Sequence, residues 1–263
     1  MAKREIPEIN AGTMADIAFL LLIFFLVTTT MDKDAAYVRS IPKKVDVPPD
    51  PEPQQPRNIC AIQANSQNQL MVRGRLMQNP DEISDKVIEF YSKNEKLSKA
   101  QSAAAMANSS HPGYNFPFYS RITMTYIDEQ IRIAEASAEE TENTPGALPD
   151  IIDFKWKQHA EWVKKKEALN LYGKKELPEI HVQAHVRIEV QQQTAYGLFT
   201  KIQSEIEEAI YELRNKVSLE IFGESYGKIA KRYVMDKEQS DKEKIELLKI
   251  LYPDRFIEVT PKK

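Results

Sequence analysis

The chain has one cysteine, Cys60, which excludes an intrachain disulfide and leaves the redox compartment unmarked. It has no glycine-rich phosphate loop, no zinc-ligand spacing and no nucleophile elbow, so the enzyme classes that those motifs announce find no foothold and no cofactor is implied. An excess of either charge is missing too. The net charge is −3, and no basic stripe interleaves with aromatic residues, which argues against nucleic acid as a partner. After Met31 no long apolar run occurs and 29% of the chain is charged. Its 263 residues leave room for one or two soluble domains beside a single apolar segment.

That segment, residues 11–31, reads AGTMADIAFLLLIFFLVTTTM. At ~1.5 Å per residue its length just spans a ~30 Å hydrocarbon layer, so it is expected to be a transmembrane helix. Asp16 is its only charge. A carboxylate there costs at least ~2.5 kcal/mol on insertion scales, and intramembrane acids usually face a protein interior or a wet cavity. The bland alternative is an acid near the helix start that snorkels to the headgroups. Helical stepping puts Thr13, Leu20, Ile23 and Val27 on the side of Asp16, with Thr30 one turn further. Ala11, Ala15 and Ala18 form a stripe of small residues suited to close packing of helices in lipid. One span with an acid face and a small-residue face implies membrane partners. A cleaved signal peptide competes for this stretch, but no A-x-A-like site follows it; an uncleaved anchor is the better reading. Lysine and arginine flank both ends, so charge alone does not orient the helix.

Residues 32–57 read as a proline-rich tether, with Pro42, Pro48, Pro49, Pro51, Pro53 and Pro56 favouring a stiff polyproline II spacer at ~3.1 Å per residue. Folded structure is expected from residue 58. Residues 59–64 and 69–73 read as short strands around the turn NSQN. Asn79-Pro80 opens a helix whose apolar face is Ile83, Val87, Phe90 and Tyr91. Residues 180–190 alternate strictly and predict one strand. Thr194 is expected to cap a long helix with Phe199, Ile202, Ile206, Ala209, Leu213 and Val217 on one face. Strand, strand, helix, insert, strand, helix describes a small α+β domain over 58–222, with helices on one sheet face.

The insert, about 93–179, is mostly helical by pattern. One stripe runs through Met124, Ile127, Ile131, Ala134 and Ala138, and another through Ile152, Trp156, His159 and Val163. Between them EETENTPGALP reads as a loop, while SSHPGYNFPFY suits an ordered loop or a contact surface. Residues 223–263 form a charged extension, with a helix over 240–251 and then a basic tail. His181 and His185 have the spacing of a helical ligand pair, but on a strand that spacing sets them ~13 Å apart, too far to share a metal; no metal site is expected.

The run Ile9-Asn10-Ala11-Gly12-Thr13-Met14-Ala15-Asp16, followed by Phe19-Leu20-Leu21-Leu22-Ile23-Phe24-Phe25-Leu26-Val27, resembles the N-terminal signature of the ExbD/TolR family, with the flavour of ExbD-like proteins of Bacteroidota. Ile41-Pro42 is similar to the family's short Leu-Pro element after the anchor, and Gly74 stands where a glycine follows its second strand. Strand 180–190 and helix 195–222 resemble the second half of its exported domain. Thr13 replaces a usual proline, Ala184-His185 replaces a common Ala-Asp pair, and the insert is longer than in compact members.

The resemblance implies a non-enzymatic inner-membrane motor subunit: residues 1–10 cytoplasmic, 11–31 spanning, the remainder periplasmic. It implies a dimer, homomeric or with a paralogue, whose two helices sit inside a pentameric ring of a polytopic ExbB-like partner. Proton flow through Asp16 would power a TonB-like periplasmic protein that opens outer-membrane transporters, with Thr13 and Thr30 hydrating the path. The alternatives are a TolR-like or stator-like subunit that grips peptidoglycan, and a plain membrane-anchored periplasmic interaction module.

Overall fold

The computed structural model describes residues 18–24, 56–108 and 115–259. The chain divides into two units, 1–46 and 47–263. In the first, residues 18–24 are helical and every side chain among them is exposed.

The second unit is a mixed α+β fold. Its strands are β1 (Ile59–Ala64), β2 (Leu70–Val72), β3 (Arg75–Met77), β4 (Tyr119–Thr123), β5 (Glu176–Ile180), β6 (His185–Val190) and β7 (Phe256–Val259). Its helices are α1 (Ile83–Ser92), α2 (Lys99–Ala107), α3 (Met124–Glu142), α4 (Pro149–Tyr172), α5 (Tyr196–Phe222), α6 (Tyr226–Asp236) and α7 (Gln239–Leu251). The main sheet has the order β3-β2-β1-β6-β7, antiparallel through the first three strands and parallel from β1 to β7. β4 and β5 form a separate antiparallel ribbon.

One face of the main sheet carries the core. Cys60, Ile62 and Ala64 of β1 and Val186 and Ile188 of β6 are buried with Ile83, Val87, Phe90 and Tyr91 of α1 and Ile202, Ile206 and Ala209 of α5. These are the apolar faces that the sequence periodicity predicts for α1 and α5. Before α1, the Asn79 side chain accepts from the Asp81 amide and Pro80 opens a 3-10 turn that leads into the helix. The β2–β3 hairpin closes on Arg73-Gly74 with φ of +50° and +76°, the two left-handed residues of a type I′ turn, which glycine adopts at no steric cost.

Four expectations need correction. The alternating run 180–190 is two strands in two sheets. The chain turns at 181–184, where the Ala184 amide donates to the His181 carbonyl and Val182 is 75% exposed. No glycine, proline, asparagine or aspartate marks that turn, and the apolar alternation runs on through it. The ~13 Å separation expected for His181 and His185 therefore loses its basis. Thr194 does not cap α5: its hydroxyl donates to the Ala64 and Asn65 carbonyls at the end of β1, and Ala195 takes the N-cap position. The stretch read as a basic tail contains β7, whose Phe256 and Ile257 pair with Val186 and Arg187 of β6. The insert does hold helices α2, α3 and α4, but also the β4–β5 ribbon, which pairs Tyr119 with Ile180 and Ile122 with Leu177.

The insert hangs together through side chains on facing helices. Tyr126 of α3 meets Trp162 of α4 edge-on at 5.9 Å, Lys166 pairs with Asp128 at 2.8 Å, and the Trp156 indole donates to Glu142. Lys164 of α4 reaches Glu246 of α7, which ties the insert to the C-terminal helices.

Candidate functional site

Of the residues expected on the proton-bearing helix face, Leu20 and Ile23 lie within the helical stretch 18–24 and are both exposed. They are three residues apart, hence on one side of that helix. Asp16, Thr13, Val27, Thr30, Ile41 and Pro42 lie outside the described residues. Phe19, Leu20, Leu21, Leu22, Ile23 and Phe24 are all large, apolar and exposed, a surface that water tolerates poorly and that lipid or other helices would cover. Among the described residues no helix is long and apolar enough to cross a membrane; seven residues of the 21-residue apolar run fall within them.

In the second unit no group of His, Cys, Asp and Glu among the described residues could hold a metal ion. His185 Nδ1 lies 2.7 Å from the Gln183 carbonyl, and His181 Nδ1 lies 3.2 Å from the Asn58 amide nitrogen. Cys60 is fully buried, and burial pushes its thiol up to about 12, so it stays protonated and inert as core filler.

The sheet face turned away from α1 and α5 is different. Leu76, Met71, Gln63, Glu189 and Val259 stand in register across all five strands, with Ala61, Arg187 and Ile257 in the next row. Leu76 and Met71 at one edge and Ile257 and Val259 at the other are exposed, while the centre is polar, with the Gln63 amide donating to Glu189 at 2.6 Å and Arg187 pairing with Glu189. Beside this face, β1, the β2–β3 hairpin and α1 enclose an open groove of about 1110 Å³. Arg57, Arg73, Arg75, Lys86, Lys93 and Arg187 line it against only Glu82 and Glu89. The Arg73 guanidinium lies over Phe116 at 4.3 Å and donates to the Asn115 carbonyl; its burial lowers its proton affinity.

Sequence reasoning missed this groove. Its one local signal is the Arg-Gly-Arg of the hairpin turn. Arg187 stands over a hundred positions away and is brought in by the parallel β1–β6 pairing that aligns it with Ala61.

A polar network locks the C-terminal stretch onto the domain. The Tyr252 hydroxyl donates to Glu95 at 2.8 Å, buried Arg214 donates to the Tyr252 carbonyl at 3.0 and 2.6 Å, and Arg214 also pairs with Asp254. Burial, joined by the Glu95 carboxylate, raises the Tyr252 phenol well above the usual tyrosine range. On α6 and α7, Arg232 grips Asp241 through two bonds of 2.6 and 2.7 Å and reaches Glu224 at 3.0 Å. The Arg232 hydrogen bond holds the Asp241 carboxyl below its ordinary value. A carboxyl depressed in the folded state stabilises above its unfolded value of ~3.9 and loses that contribution as pH falls through the folded value. We therefore expect the thermal midpoint to drop below about pH 4 in the native chain and to drop less in Asp241→Asn. Parallel midpoint-against-pH curves for the two proteins would contradict the assignment.

Residues 2–111 match the family model described as biopolymer transport protein ExbD/TolR. The match runs through β1, the β2–β3 hairpin and α1 and ends beyond α2 within the insert; β6, α5 and β7 lie outside it. No curated protein and no solved structure matches the chain.

Proposed function

We propose, for a chain whose residues 2–111 belong to the ExbD/TolR family of biopolymer transport proteins, that it is the proton-motive-force-driven, energy-transducing subunit of an ExbB-ExbD-TonB-type inner-membrane motor. Members of this family are membrane-anchored, non-enzymatic transport accessory proteins that generally work with ExbB and TonB-type partners. The observation that carries the finer reading is the placement of Asp16 inside the apolar run 11–31, with the Ile9-Asn10 signature ahead of it, all within the matched residues.

In this reading residues 1–10 are cytoplasmic, 11–31 span the inner membrane and 32–57 form the periplasmic tether. The domain at 58–222, with its insert, and the segment 223–263 work in the periplasm. Asp16 takes a proton from one side and delivers it to the other. Thr13, Leu20, Ile23, Val27 and Thr30 share its face and pack or hydrate the path inside a ring of partner helices. The exposed apolar side chains at 18–24 support a helix that another surface must cover. The tether carries motion to the periplasmic domain, and a second ExbD-like chain supplies the paired helix.

Gentle extraction from native membranes tests this. A polytopic ExbB-like protein should co-purify in molar excess over this chain. Recovery of the chain without any polytopic companion would remove the motor reading and leave a plain membrane-anchored module. A TolR-like subunit would also sediment with purified peptidoglycan, so pelleting separates the envelope-integrity reading from the transport one.

A further inference from the structure

The 181–184 turn joins the β4–β5 ribbon of the insert to β6 of the main sheet, and no glycine, proline, asparagine or aspartate builds it. We infer that it is a proton-operated latch: with His181 neutral the ribbon is fastened to the start of β1, and protonation of His181 at Nδ1 releases it.

His181 takes the place of the missing turn residue. Its Nδ1 receives the Gln183 backbone N–H at 3.2 Å, two residues on, as an asparagine or aspartate oxygen does in an Asx-turn. A backbone N–H can only donate, so Nδ1 is the unprotonated nitrogen and the ring proton sits on Nε2. The Asn58 side chain, 3.2 Å from the same Nδ1, must then present its amide N–H to it. Asn58 ends the 3-10 turn that leads into β1. Its bond therefore ties the exit of the ribbon to the place where Ile59 of β1 and His185 of β6 begin their pairing. The His181 backbone N–H, donating to the Phe118 carbonyl just before β4, belongs to the same fastening.

The neutral latch carries a flaw, and the flaw points to a second state. Asn58 is 1% exposed, yet with its amide nitrogen turned to His181 its Oδ1 meets no donor among the described residues. A proton on Nδ1 reverses the preference. The ring nitrogen becomes a donor, a rotated Asn58 amide accepts from it through Oδ1, and the orphaned oxygen is satisfied. The Gln183 N–H then faces another N–H and must leave, which undoes the turn. Charge pushes the same way. Arg255 donates to the His181 and Val182 carbonyls, and Arg57 adjoins Asn58 with its guanidinium over Phe118, so an imidazolium formed here sits among cations. The carboxylates beside the turn are engaged elsewhere, Glu179 with Lys165 at 2.6 Å and Asp254 with Arg214 at 3.0 Å. Tyr119 of β4 is buried and donates to the Tyr91 carbonyl. His185 is not the switch: its Nδ1 faces the Gln183 carbonyl at 2.7 Å, a donor's position that protonation leaves intact. Histidine is the side chain that ordinarily titrates between about pH 5 and 8, so the latch answers to mild acid. It does so whether or not Asp16 carries protons.

The test uses the full-length chain in detergent micelles and follows amide hydrogen exchange by mass spectrometry, corrected for the intrinsic effect of pH on exchange. From about pH 8 down to about pH 5, protection of the 181–186 amides should fall about tenfold or more in a single-proton step, while that of α5 holds. His181→Asn keeps an acceptor for the Gln183 N–H but cannot titrate, so its turn should stay protected throughout. Asn58→Asp sets a carboxylate beside the ring and should move the step to higher pH. His185→Gln should keep the native response. Constant protection in the native chain, or the same loss in His181→Asn, overturns the latch. If His181→Asn fails to protect α5 and so has not folded, Asn58→Asp decides: a step at the native pH overturns the latch, and a step at higher pH upholds it.

Discussion

Asp16→Asn is expected to insert in the membrane, to assemble with its partners at native levels and to reduce energised uptake to the unenergised background. Asparagine is close in size and less costly to bury than a carboxylate, so neither insertion nor packing should suffer. What it cannot do is exchange a proton. Each proton that crosses 100 mV delivers ~2.3 kcal/mol. Driving a two-state element from one extreme population to the other takes ~5.5 kcal/mol. One proton at that potential biases the element without completing its swing; in the proposed motor two Asp16 side chains of a dimer would together supply ~4.6 kcal/mol, which brings the swing close to completion. Hence a mixed dimer with one Asp16→Asn chain should be severely impaired too, not merely halved. Asp16→Glu keeps a titrating group at a displaced position and should retain partial uptake. Uptake of an outer-membrane substrate in cells, normalised to membrane-inserted protein, reads all three. Native-level uptake by Asp16→Asn would eliminate the proton role.

How much of the fold is legible in the sequence differs by element. α5 was readable because Ile202, Ile206, Ala209, Leu213 and Val217 recur at helical spacing within a 27-residue helix and all are buried. β1 and α1 were readable for local reasons too: a short apolar run before the turn signal NSQN in one, an Asn-Pro start and four buried apolar residues in the other. Two of the failures share a cause, which is that a long-range contact overrode a local pattern. Thr194 looks like a cap, but its hydroxyl is taken by carbonyls some 130 positions earlier. The 181–184 turn carries no turn residue; it is imposed because β5 pairs with β4 of the insert while β6 pairs with β1. β3 has only three residues, too few for any period to register. The groove is harder still. Arg57, Arg73, Lys86 and Arg187 are ordinary surface cations in sequence and come to line one groove only when four elements converge. Asp16 is the converse case: an acid in an apolar run is conspicuous without any structure.

The C-terminal stretch gives the second large effect: a chain ending at Ile250 should lose cooperative folding of the second unit. By composition this region resembles a dispensable charged tail, yet it fills three structural roles at once. Leu251 and Tyr252 are buried, each worth about 1.5–3 kcal/mol of apolar burial. Arg214, itself buried, would lose both bonds to the Tyr252 carbonyl and its pairing with Asp254, stranding a charge at a cost of about 3–5 kcal/mol. Arg255 would no longer donate to the His181 and Val182 carbonyls, and β6 would lose its outer partner β7. Together these losses approach the whole stability of a typical domain, about 5–15 kcal/mol. Tyr252→Phe isolates one part: it keeps the ring and removes only the hydroxyl bond to Glu95, so it should cost about 1–2 kcal/mol and leave folding cooperative. Urea unfolding followed by circular dichroism distinguishes the two, with a broad, early loss of signal for the truncated chain and a sharp, slightly shifted transition for Tyr252→Phe. A truncated chain that unfolds at the native midpoint would mean that β7 and the Arg214 network are ornaments on a core that stands without them.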